Sequence, residues 1–101
     1  MLVNETRLNI LREEIGEDGF AEVLSMFLAE SDEVIARLSR ESWTTPPQEE
    51  LHFLKGVALN LGFDDLADLC RKGERGEGFD AAMLAGLYAA TCRELGGMVP
   101  V

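Results

Sequence analysis

The sequence predicts an all-α protein: an antiparallel up-down four-helix bundle with a short additional helix at its N-terminus. Two patterns carry that expectation. Apolar residues recur at three- and four-residue steps through every long segment, while no stretch alternates apolar and polar residues between turn dipeptides as strands would. The loops between the helical segments are short, which favours antiparallel neighbours over long crossovers.

Taken in order, Leu8, Leu11 and Ile15 have helical spacing behind Asn4 as a cap, and Gly16 ends this first helix. Asp18 can cap a second, in which Phe20, Leu24, Phe27, Leu28, Ser31, Ile35 and Leu38 keep one face apolar for about six turns. Val23 and Met26 fall beside that face and either enlarge the core or widen an apolar surface. Ser42 to Pro47 forms a loop, with Trp43 folding back onto the end of the bundle. Thr45 then reads as an N-cap, Pro46 as the first helical residue and Gln48 as the far side of a capping box. Leu51, Leu54, Ala58 and Leu61 give this helix its apolar stripe, and Gly62 offers a C-terminal stop. Asp64 can cap a short helix through Leu66, Leu69 and Cys70, crowded at its end by Gly73, Gly76 and Gly78. Asp80 caps a last helix through Met83, Leu84, Leu87, Tyr88, Thr91 and Leu95, closed by Gly96-Gly97. Residues from about 97 to 101 form a tail that is either loose or docked.

A chain of 101 residues suits one domain, residues 1–101, large enough for a real core. Its composition is 47% hydrophobic and 28% charged, a globular balance that argues against disorder. The net charge of −10 is spread along the chain, so it reads as a solvated surface. Nine scattered Lys and Arg do not make the cluster that neutralises phosphates, so nucleic acid and anionic membrane are poor partners. A protein partner fits better. No apolar run approaches the roughly 20 residues that span a bilayer, and the first residues lack a signal-peptide layout. A cytoplasmic location is the expectation. Cys70 and Cys92 show no CxxC spacing and there is no second histidine, so a metal site is not expected. Both thiols read as small buried hydrophobes.

The one histidine, His52, lies beside the apolar stripe of its helix and not on it. A neutral imidazole nitrogen can attack phosphorus and carry a phosphoryl group, whose dispersed negative charge needs a nearby cation. Lys55, three residues on, shares the side of the helix that could supply one. Gly56 removes a side chain where a partner's loop would approach, or else serves close helix packing. Glu49 could accept a hydrogen bond from Nδ1 and leave Nε2 as the nucleophile, or be a solvated carboxylate near a helix N-terminus. Other chemistry fares worse: there is no Ser/His/Asp set and no phosphate-cradling glycine loop. The phosphoryl group and the magnesium that neutralises its transfer must come from outside.

The run His52-Phe53-Leu54-Lys55-Gly56, followed by Gly62, Leu66 and Cys70, resembles the signature of histidine-containing phosphotransfer domains of multistep phosphorelays. The likeness extends to a short lead-in helix and a long second helix carrying phenylalanines, and so to nearly the whole chain. It implies a bundle with an exposed phosphorylatable His52, Lys55 near the phosphoryl oxygens and Gly56 as clearance. It implies response-regulator receiver domains and a histidine kinase or its receiver as partners, with Mg²⁺ on the receiver and no cofactor of the chain's own. Phe20, Val23, Leu24 and Phe27 become candidates for a receiver-docking patch, to the extent that they point outward. The function implied is that of a phosphorelay intermediate without its own turnover, and a monomer is expected because the surface around His52 must stay open. An alternative is a binding module of the same fold that captures a receiver or kinase without carrying phosphate. A third reading, a bundle for assembly, predicts a buried His52. Two positions depart from the family pattern: Val57 stands where Ser or Ala often follows Lys-Gly, and Gly73 where a large apolar residue is usual. No phosphate-supporting residue is expected in the segment after Arg71, since Glu74 has the wrong charge for an anion.

Overall fold

The computed structural model describes residues 1–98. Its helices are α1 (Glu5–Arg40), α2 (Gln48–Leu61), α3 (Asp64–Glu74) and α4 (Ala81–Met98), with no strand among the described residues. α1 packs on α2 and α4, and α3 packs on the same two, so the four form a closed ring around one core. Leu8, Leu38, Leu51, Leu54, Leu61, Phe63, Leu66 and Leu84 are its largest fully buried apolar side chains.

The expected first and second helices are one element with a break. Gly16 sits at φ 78°, ψ 165°, outside the helical region, and helix resumes at Glu17. Asp18 therefore lies within a first turn, where a carboxylate is favourable without capping. The Asn4 cap is present, its side-chain oxygen accepting from Arg7 N at 3.2 Å. Ile15 departs from the expected stripe and is exposed, because the break at Gly16 lets the two segments face the core independently.

The capping box before α2 does not form. α2 begins at Gln48, Pro47 is its N-cap, and there is no side-chain cap bond. The reason lies in the Pro46-Pro47 pair: the ring of Pro47 disfavours helical backbone at the residue before it, so Pro46 cannot start the helix. Gln48 is thereby released, and its Nε2 donates to the Glu74 carbonyl at 3.0 Å. Asp64 likewise opens α3 from inside its first turn, after Phe63. Asp80 does cap α4, its Oδ1 accepting from the N–H groups of Ala82 and Met83 at 2.9 and 3.1 Å. Gly96 and Gly97 do not end α4, which continues to Met98, and the rest of the expected tail lies outside the described residues.

The loop from α1 folds back as anticipated: Trp43 packs on the core and its Nε1 donates to the Leu38 carbonyl at 3.0 Å. α4 is tied to α1 through the Tyr88 hydroxyl, 2.6 Å from Asp32 Oδ1 and 3.2 Å from the Leu28 carbonyl. Cys70 is buried and Cys92 half-buried, both as free thiols; burial pushes Cys70 up to about 12, so it stays protonated and inert near neutrality.

Candidate functional site

α2 meets the core through Leu51, Leu54, Val57, Ala58 and Leu61. Val57, at the first departure from the family pattern, belongs to this buried set. His52 is offset from that stripe by the helical twist, and its side chain is 77% exposed. That exposure contradicts an assembly role with a buried histidine.

Two groups flank the imidazole. Lys55 Nζ donates to Glu74 Oε2 at 2.6 Å, and the other oxygen of Glu74 lies 3.4 Å from His52 Nδ1. Glu74 is 17% exposed and Lys55 21%, so the pair is shielded from bulk water while the histidine is not. The short bond to Lys55 holds the Glu74 carboxyl below its usual range; burial opposes this, and the charge of Lys55 and contact with His52 add to it. At 3.4 Å the contact to Nδ1 is within ion-pair reach but long for a hydrogen bond. The Oε1 atom is buried without a hydrogen-bond partner among the described residues, and His52 Nδ1 faces it.

Glu74 thus occupies the place foreseen for Glu49. Glu49 instead lines an open cavity of about 300 Å³ between α1 and α2, with Glu30, Glu33, Val34, Arg37, Glu50 and Phe53. Glu74 keeps the wrong charge for holding an anion; its carboxylate contacts the Lys55 ammonium and the imidazole instead. Its separation of 22 residues from His52 lies beyond any helical period, so only the packing of α3 on α2 reveals it. Charge pairing gave one usable signal, since a half-buried Lys55 needs an anion.

Gly56 is part of the same surface. A Cβ built there meets nothing within 4 Å, so internal packing does not account for the glycine. Of the candidate docking residues, Phe20 and Leu24 are withdrawn into the core at 2% and 8% exposure and cannot serve. They fall on the buried stripe of α1, whereas Val23 and Phe27 stay partly exposed beside it. Met26 is half-exposed on the same helix. No group of three or more metal-ligating side chains occurs among the described residues, and no described helix is long and apolar enough to cross a membrane.

Fold and site together define a helical-bundle protein that exposes one imidazole beside a carboxylate–lysine pair. The family model of the Hpt domain matches residues 22–95, and the chain belongs to the histidine-containing phosphotransfer domain family. Its role is accordingly phosphotransfer-related signalling in two-component systems, among receiver domains and histidine kinases, in a family of phosphocarriers. No curated protein and no solved structure matched the chain.

The Lys55–Glu74 pair gives stability a definite pH window. Glu74's folded pKa lies below its ordinary 4.5, so the contribution is present above that value and fades as pH falls through the folded pKa. Glu74→Gln is expected to lower stability at pH 7 by on the order of 1 kcal/mol, with the gap to the parent narrowing toward pH 3. Urea unfolding at the two pH values measures it; a gap that stays constant removes the ion pair as the cause.

Proposed function

We propose that Nε2 of His52 accepts a phosphoryl group from the aspartyl phosphate of a receiver domain, or from a kinase, and passes it to a response regulator. The observation that carries this reading is the exposed imidazole whose Nδ1 faces a buried, otherwise unpartnered carboxylate oxygen. A proton held on Nδ1 leaves the Nε2 lone pair free. That lone pair attacks phosphorus, the N–P bond forms, the acyl-phosphate P–O bond breaks, and the aspartate departs as carboxylate. The ring gains positive charge as it does so, and Glu74 stabilises it through Nδ1–H. Lys55 supplies positive charge to the phosphoryl oxygens, and Gly56 gives the partner's loop its approach.

The donor or acceptor contributes the acidic pocket and Mg²⁺, the chain contributes no cofactor, and without bound substrate chemistry of its own it acts as a carrier and not an enzyme. Val23 and Phe27 form the apolar part of the docking surface. A monomer in the cytoplasm suits that open surface. Incubation with a phosphorylated receiver is expected to yield one acid-labile, alkali-stable phosphate on the chain, located on His52 by ³¹P NMR and fragmentation. Phosphate found on any other residue, or none transferred from any receiver of the same cell, sinks this reading in favour of a phosphate-free binding module.

A further inference from the structure

At the end of α3 remote from the Gly62 junction, Gly73 packs directly against Leu51 of α2. A Cβ built there would lie 2.9 Å from Cδ1 of Leu51 and 3.6 Å from its Cδ2. Real Cβ atoms do not approach that closely, and Leu51 is only 1% exposed, so its methyl groups have little room to yield. Gly73 is an ordinary helical residue with no positive φ, so conformational freedom does not explain a glycine that costs about 1 kcal/mol relative to alanine. The close approach does.

What this notch brings together lies one residue on. Gln48, Leu51, His52 and Lys55 stand at i, i+3, i+4 and i+7 along α2, one continuous face. That face meets the last turn of α3 at four points: Gln48 Nε2 on the Glu74 carbonyl, Leu51 in the Gly73 notch, and His52 and Lys55 on the two Glu74 carboxylate oxygens. We infer that Gly73, with Gln48, is a positioning residue for His52, setting the helix separation at which Glu74 reaches Nδ1. This rests on the reading of His52 as phosphoryl acceptor and concerns how its nucleophilic nitrogen is selected. The contact at 3.4 Å is already at the long end, so a displacement of α3 by a few tenths of an ångström breaks it first. Lys55, on a flexible stem at 2.6 Å, follows Glu74.

The test measures the His52 tautomer by ¹⁵N chemical shifts, alongside phosphorylation by the small donor phosphoramidate, in which an N–P bond forms on Nε2 as ammonia leaves. Gly73→Ala is expected to lower the ratio of Nδ1–H to Nε2–H about tenfold, the size of one hydrogen bond to a charged group, and the phosphorylation rate with it. Glu74→Gln provides the reference for a carboxylate lost chemically. Adding Leu51→Val to Gly73→Ala removes the colliding Cδ1 methyl group along with Cδ2 and is expected to restore the ratio. Gln48→Ala, which loses only an exposed hydrogen bond, shifts the ratio in the same direction and decides the matter even where Gly73→Ala fails to fold. An unchanged ratio in either single variant, or no recovery in the double variant, overturns the inference. A parent chain that takes no phosphate from receivers but shows these tautomer shifts keeps the positioning role and loses the phosphotransfer reading.

Discussion

His52→Gln is expected to take up no phosphate from a phosphorylated receiver while unfolding within about 0.5 kcal/mol of the parent chain, as surface substitutions generally do. The two halves of that result have separate causes. Glutamine keeps a polar side chain of similar reach, but its amide nitrogen has its lone pair delocalised into the carbonyl and cannot attack phosphorus. Histidine contributes little to packing here, since its side chain is 77% exposed and the stripe of Leu51, Leu54, Ala58 and Leu61 is complete without it. Radiolabel transfer and urea unfolding on the same preparation measure both. Undiminished labelling of the variant removes His52 from the chemistry, and unimpaired signalling by His52→Gln in cells favours the phosphate-free binding module. A large loss of stability would instead mean that the contact with Glu74 holds α3 in place.

The parts of this protein that could be read from the sequence are those governed by one helix at a time. The stripe on α2, that on α4 apart from Met83, which is 59% exposed, the Asn4 and Asp80 caps and the stop at Gly62 are local events, fixed by residues within one or two turns. His52 and Lys55 shared a face for the same reason. What the periodicity could not supply was which face meets which. It placed Phe27 on one face with Phe20 and Leu24, and only packing against α2 and α4 separates that partly exposed residue from the buried pair. Nor could it find Glu74, whose contacts with Lys55 and His52 arise from two helices closing at the Gly73 notch. The capping box at Thr45 failed through a competing local rule, the backbone restriction that Pro47 imposes on Pro46.

Gly62→Ala is expected to destabilise the fold by about 3 kcal/mol or more, a large share of the 5–15 kcal/mol that holds a typical domain together. Gly62 closes α2 with φ 78° and ψ 28°, a left-handed conformation that costs an L-residue about 1–2 kcal/mol. The strain is the smaller part. A Cβ at this position would lie 2.8 Å from the Asn4 carbonyl oxygen and 3.0 Å from Arg7 Cβ, and neither is the loose end of a side chain. The same junction carries the hydrogen bond from Asn4 N to the Gly62 carbonyl at 2.6 Å, while the Asn4 carbonyl accepts from Leu8 N at 3.1 Å. Pushing the chains apart therefore costs the start of α1 as well as the end of α2. Gly56→Ala is the matched contrast: it is helical, a Cβ there meets nothing within 4 Å, and about 1 kcal/mol of helix propensity is regained. One methyl group is thus expected to move stability in opposite directions at two glycines six residues apart on the sequence. Thermal or urea unfolding of the two variants measures the difference, and a Gly62→Ala variant as stable as the parent would show that the N-terminal segment is not held against the end of α2.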